Sequence, residues 1–258
     1  MLVSCGTKGL EYVEINEDEY GVKCGEAINE DKIVIPKKHN GRTVTTILKS
    51  GFSGCEKMTE ITIPKSIVKI ETGAFLNCKS LEKVKYGGKI KDWCNIDFAH
   101  STSNPMSMGD SFYAKGKQHT ALTISGTEKI NKYAFFGFKQ LTSVVVEGDV
   151  TFIGESAFAG CTSLTSITLP NSIDTLSNFL FSNCVSLKEI TVPASVRLIN
   201  PRTFYGCIEL KSIAFENTEN WQYAPKPDTV NGTLVDVTDT AKNAQKFVNL
   251  ETKYLNKK

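Results

Sequence analysis

"SAFAGCTSLTSITLP", residues 156–170, places apolar side chains at Phe158, Cys161, Leu164, Ile167 and Leu169, so the step between them shifts from three to two within one short stretch. The step from Phe158 to Cys161 suits a tight helical turn, whereas Leu164, Ile167 and Leu169 end in the alternation of a strand. Such a segment offers one edge of a turn and one face of a strand. Neither buries enough to close a core, so the segment needs copies of itself beside it.

The copies are present. SGFSGCEKMTEITI (50–63), GAFLNCKSLEKVKY (73–86), YAFFGFKQLTSVVV (133–146), SAFAGCTSLTSITL (156–169), FLFSNCVSLKEITV (179–192) and RTFYGCIELKSIAF (202–215) align without a gap. Phe52 and Phe75 stand 23 residues apart, and Phe135, Phe158, Phe181 and Phe204 follow one another at the same step. Ile47, Ile70, Ile130, Ile153, Leu176 and Ile199 each precede their Phe by five residues. A fixed period of this length is the signature of a solenoid. Each coil is expected to hold a short strand, often closed by Pro (Pro64, Pro170, Pro193), a second short extended piece and a one-turn helix carrying Phe and Cys. With parallel strands about 4.8 Å apart, six coils give a core roughly 30 Å long. Its spine is the Phe column, each ring contributing about 1.5–3 kcal/mol on burial.

The coils "VTFIGESAFAGCTSLTSITLPNSI", "IPKSIVKIETGAFLNCKSLEKV" and "VPASVRLINPRTFYGCIELKSI" resemble the BspA-type leucine-rich repeat family, whose pattern is roughly IPxSVxxIGxxAFxxCxSLxxVx. The resemblance covers most of residues 33–215. It implies a leucine-rich repeat solenoid of the α/β horseshoe class, mainly short parallel β-strands with one-turn helices. It also implies export or a hold on the bacterial cell surface, and adhesion to a protein or glycan partner such as host extracellular matrix.

Phe75 to Phe135 spans 60 residues, 37 more than one period, which places an insertion near 87–121. "KIKDWCNIDF" reads as a short helix, "SNPMSM" as a turn with a brief helix, and "DSFYAKGKQHT" as a hairpin looped by Lys115, Gly116 and Lys117. Insertions in solenoids map to one face, often the binding face. Trp93, Phe98 and Tyr113 are therefore candidate binding aromatics, against the plainer reading that they fill a gap in the stack. The ends require caps, because a terminal coil would expose a strand edge. "LEYVEINEDEYGVKC" (10–24) reads as a hairpin around Asn16–Asp18, within a cap spanning 10–32. The segment 216–258 reads as a C-terminal cap, with "NWQYA" and "TLVDV" as closing strands. Its helix, in "DTAKNAQKFVNL", starts at Asp239 and is expected to face Ala241, Ala244, Phe247 and Val248 inward. Asn231 heads an NGT sequon, relevant in a glycosylating secretory host.

Five of the eight cysteines, Cys55, Cys78, Cys161, Cys184 and Cys207, share one repeat column, and Phe138 takes their place in the third coil. A ligand or redox partner does not exchange for Phe, so the column reads as small buried hydrophobes. Cys24 and Cys94 lie outside it, with their pairing open. "LVSC" ending at Cys5 resembles a bacterial lipobox, so residues 1–9 read as a tail with Cys5 as the lipidation candidate and the protein as lipid-anchored.

A net charge of +2 gathers no polyanion, which disfavours nucleic acid, and no run of eighteen apolar residues spans a bilayer. Neither CxxC nor paired His spacing points to a metal, and no cofactor is expected. His39, His100 and His119 lack a catalytic setting. Cys94 and His100 are the nearest approach to a nucleophilic pair, without an orienting third group. What remains is surface. The outward positions of successive strands are Glu60 and Thr62, Lys83 and Lys85, Ser143 and Val145, Ser166 and Thr168, Glu189 and Thr191, and Ser212 and Ala214, with a basic spot at Lys83, Lys85, Lys89 and Lys91. A non-catalytic binding module is the favoured function, and a structural spacer of a surface lipoprotein is the alternative.

Overall fold

The computed structural model describes residues 6–228 and 232–257, so Cys5 and Asn231 lie outside the described residues. The chain divides into two compact units, Met1–His119 and Thr120–Lys258.

In the first unit the chain alternates between two sheets. One runs in the order Glu11–Glu14, Glu19–Lys23, Arg42–Ile47, Lys69–Ile70 and Asp97–Phe98, with Lys38–His39 beside Arg42–Ile47. The other runs Lys32–Val34, Glu60–Ile63, Lys83–Tyr86, Ser111–Ala114 and Lys117–Gln118. From Lys32–Val34 to Ser111–Ala114 the second is parallel throughout: Glu60, Lys83 and Ser111 share one row, and Thr62, Lys85 and Tyr113 another. Because strand side chains alternate between faces, Ile61, Ile63, Val84 and Tyr86 are buried while their neighbours reach the surface.

In the second unit, Ala121–Ile124, Ser143–Val146 and Ser166–Thr168 form one parallel sheet, and Glu189–Val192 with Ser212–Phe215 another. Short strands pair in the same sense, Lys129–Ile130 with Phe152–Ile153 and Thr175–Leu176 with Leu198–Ile199. Counting the longer strand of each turn, the described residues hold four turns in the first unit and five in the second. Three exceed the six recognisable repeats: those of Lys32–Val34, Ser111–Ala114 and Ala121–Ile124. They lack the Phe and Cys signature and were invisible to a period search.

The phenylalanines stack. Phe52 lies on Phe75 with ring centroids 5.7 Å apart, and Phe135, Phe158, Phe181 and Phe204 follow at 5.3, 6.0 and 5.9 Å, all nearly parallel and buried. Backbone bonds between turns hold the bends, Phe52 N–H donating to the Ala74 carbonyl and Phe158 N–H to that of Leu180. The residue before each column Cys has positive φ and is Gly or Asn (Gly54, Asn77, Gly160, Asn183, Gly206), the types that tolerate the left-handed region.

The segment expected as an excursion, 87–121, is itself mostly a turn of the stack. Helix Ile90–Cys94 leads to Asp97–Phe98, which pairs parallel with Lys69–Ile70, and Ser111–Ala114 pairs parallel with Lys83–Tyr86. The hairpin that follows is tighter than its sequence suggested: Ala114 faces Lys117, so Lys115 and Gly116 alone make the loop, both at positive φ. At the start, Glu11–Glu14 pairs antiparallel with Glu19–Lys23, which also adds parallel to Arg42–Ile47. At the end, Tyr254–Lys257, a strand absent from the sequence reading, runs between Leu198–Ile199 and Trp221–Ala224. Helix Thr240–Phe247 is capped by Asp239, which accepts from Lys242 N–H, and buries Ala244 and Phe247. Ala241 is exposed, contrary to expectation. Asn243 is the buried residue, its side chain donating to the carbonyls of Ile213 and Val237.

Candidate functional site

The outward positions fall into two surfaces, one per unit. In the first, Lys85 Nζ lies 2.6 Å from Glu60 Oε1, so one of the four lysines of the expected basic spot is neutralised from the neighbouring strand. Lys83 is exposed, Thr62 is half-buried, and Tyr113 is half-buried with its hydroxyl donating to Gln118. Lys65 pairs with Asp92 at the start of the following helix, beside Lys89.

Trp93 and Phe98 do not reach this surface. Both are fully buried, in a cluster where Trp93 meets Tyr86, Phe98 and Phe112 at centroid distances of 5.1, 5.3 and 4.7 Å. A ring without exposed area offers nothing to a partner, so the expectation of binding is withdrawn for these two. They fill the interior of the irregular turn, where no stacked Phe is available. Cys94 is fully buried and desolvation pushes its thiol well above the ordinary range, while His100 is exposed with Nδ1 3.0 Å from Thr102 Oγ1. A thiol held protonated there is no nucleophile. Among the described residues no group of three metal-ligating side chains assembles, and no helix is long and apolar enough to cross a membrane.

The second surface differs in its backbone. Among the described residues no ladder pairing joins Ser166–Thr168 to Glu189–Val192, although each strand is paired on its other side. The companion short strands, Phe152–Ile153 and Thr175–Leu176, are likewise unpaired with each other. Proline removes one rung. At the equivalent place in other turns Glu147 N–H donates to Ile124 and Glu216 N–H to Val192, but Pro193 has no N–H to give Leu169. That does not open the step by itself, because Pro170 likewise has no N–H to give Val146 and the ladder between Ser143–Val146 and Ser166–Thr168 stays closed. On the short-strand side, the Ser172 and Ser177 hydroxyls reach the carbonyls of Val150 and Ile153. The bends stay joined, with Ser156, Phe158 and Gly160 donating to Asn178, Leu180 and Ser182. A groove of about 490 Å3 runs over this step and the paired strand beyond it, lined by Ser166, Thr168, Glu189, Thr191, Ser212 and Glu216 among others. Five of these, Ser166, Thr168, Glu189, Thr191 and Ser212, belong to the outward columns. Glu216, absent from those columns, accepts from Ala194 N–H at 2.9 Å. Among the described residues no cation lines the groove, so its two carboxylates and four hydroxyls set its character.

Sequence reading also missed a hollow of about 330 Å3 on the bend side of this unit, between Phe136, Phe179, Arg202 and Tyr205. The Arg202 guanidinium sits 5.4 Å from the Phe179 ring centre and 6.0 Å from that of Tyr205. The sequence carries a signal for it, since Tyr133, Ser156, Phe179 and Arg202 stand in the column that Ser50 and Gly73 occupy in the first unit, and all six hold positive φ. A bulky residue in that conformation costs about 1–2 kcal/mol.

The repeat geometry agrees with a sequence profile, the BspA type leucine rich repeat region, which matches in six copies over residues 26–112 and 128–224. The chain belongs to the BspA-type leucine-rich repeat family. Proteins of this family are bacterial surface proteins, and their repeat stack suggests a protein-interaction module. The T. pallidum leucine rich repeat protein TpLRR is similar in structure at 20% identity, with a TM-score of 0.51 over 79% of this chain and 89% of that one. A leucine-rich repeat protein from Bacteroides ovatus has 27% identity and a TM-score of 0.48, over 82% of this chain and 53% of that one, so this chain spans about half its length. A leucine rich cell surface protein from Faecalibacterium prausnitzii matches at 15% identity, with a TM-score of 0.38 over 83% of this chain and 94% of that one. No curated protein matches the chain.

Proposed function

We propose that this chain is a non-catalytic binding module of the bacterial cell surface, held there by a lipid on Cys5, and that the groove between Ser166–Thr168 and Glu189–Val192 is its recognition site. The observation that carries the reading is the open ladder. Strand backbone left without a partner presents donors and acceptors at fixed spacing, which is how extended segments are commonly recognised. Glu189 and Glu216 favour a protein partner that brings lysine or arginine side chains, and Ser166, Thr168, Thr191 and Ser212 supply short, adaptable hydrogen bonds. Lys83, Lys85, Glu60, Thr62 and Tyr113 in the first unit form a separate surface of lower rank, because Lys85 and Glu60 already satisfy each other.

An array of host matrix proteins, glycans and synthetic peptides tests the reading on the full chain. Saturable binding to a basic protein or peptide is expected, weakened at least about tenfold by the double variant Glu189→Arg with Thr191→Arg and unchanged by Lys83→Glu. Absence of saturable binding to every ligand would replace this function with that of a structural spacer.

A further inference from the structure

Column cysteines act alike in the regular turns. The Cys78 thiol donates to the Phe52 carbonyl at 3.1 Å, Cys161 to Phe135 at 3.2 Å, Cys184 to Phe158 at 3.2 Å and Cys207 to Phe181 at 3.1 Å. Each acceptor belongs to a Phe 26 residues earlier. Cys55 opens the column, and no such Phe precedes it. Its thiol donates instead to Cys24 Sγ, 3.1 Å away, and both side chains are buried. Cys24 is held against the bend carrying Cys55, because its N–H donates to the Gly51 carbonyl at 2.6 Å.

We propose that Cys24 and Cys55 are a disulfide-forming pair, closed by a small-molecule disulfide such as oxidised glutathione, which locks the irregular N-terminal turn onto the first regular one. The sulfurs need to approach by only about 1 Å to reach the bonded distance of about 2.05 Å. The roles are unequal. The hydrogen bond from Cys55 holds the Cys24 thiol below its ordinary range, whereas the same bond and burial push Cys55 upward. Cys24 is therefore the attacking sulfur. Its thiolate displaces one glutathione thiolate and forms a mixed disulfide. Cys55 then gives its proton to solvent, attacks Cys24 Sγ and releases the second glutathione. Two protein thiols lose two protons and two electrons, and one oxidised glutathione becomes two reduced ones. The bond would close a loop between residues 31 positions apart. A loop of that size raises the melting temperature by roughly 10 °C.

The test incubates the full folded chain with oxidised glutathione, alkylates remaining thiols under denaturing conditions and maps the peptides by mass spectrometry. The expected product is a peptide pair joined through Cys24 and Cys55, lighter by two hydrogens, lost in Cys24→Ser and reversed by dithiothreitol together with the melting shift. Cys24→Ser is the informative variant if Cys55→Ser fails to fold, and a Cys78→Ala chain should still close the bond. Recovery of both Cys24 and Cys55 in alkylated form after oxidation, or cross-links confined to neighbours of the column, would overturn the proposal.

Discussion

Two strands at corresponding places in the two units behave differently. Lys83–Tyr86 is paired on both sides, to Glu60–Ile63 and to Ser111–Ala114, whereas Glu189–Val192 is paired on one side only. Both alternate buried and outward residues, and both follow a bend that carries Phe and Cys. The difference shows that a repeat stack can be held by its bends and ring column while its ladder is open. In the second unit Phe158 and Phe181 remain stacked, and Cys184 still reaches the Phe158 carbonyl, across the same step where the strands part.

If the column rather than the ladder holds that step, the largest effect should come from the ring. Phe158→Ala removes a side chain stacked on both faces and is expected to cost about 3–5 kcal/mol in chemical denaturation. A loss below 1 kcal/mol would mean that the bends alone suffice. Next comes the thiol. Cys184→Ala removes one of the two donors to the Phe158 carbonyl, which keeps the Cys161 N–H, so the expected loss is about 0.5–1.5 kcal/mol by the same measurement. Hydrogen exchange separates the ladders directly. The Lys85 amide lies in the ladder between Lys83–Tyr86 and Glu60–Ile63, while the Thr191 amide, at the same place in Glu189–Val192, has no such ladder toward Ser166–Thr168, so Thr191 should exchange about tenfold faster or more. Equal protection would close the proposed groove. The smallest effect should be that of Pro193→Ala, within about 1 kcal/mol because a restored donor offsets the greater freedom of the unfolded chain. The new amide should be protected by the Leu169 carbonyl and the groove should narrow, read as protection at residue 193 and weaker ligand binding.

How far these contrasts were legible varies by residue. The Phe and Cys columns, the outward Glu189 and Thr191, and the left-handed Gly or Asn before each Cys were written in the period, because each depends on contacts repeated at a fixed step. Pro193 was visible too, but its consequence was not, since a missing N–H matters only once its acceptor, Leu169, is known. Trp93 and Phe98 misled for a related reason. A large ring in an insertion suits a surface or a core equally, and the choice was made by the parallel pairing of Asp97–Phe98 with Lys69–Ile70.

The sequence by itself determined the repeat, its inward columns and the family, since periodic burial is a local demand that every turn states again. The tertiary structure alone decided where the ladder opens, which aromatics vanish inside and that Cys24 meets Cys55. Each of those depends on one particular residue of one turn lying against another, a distance that no period encodes.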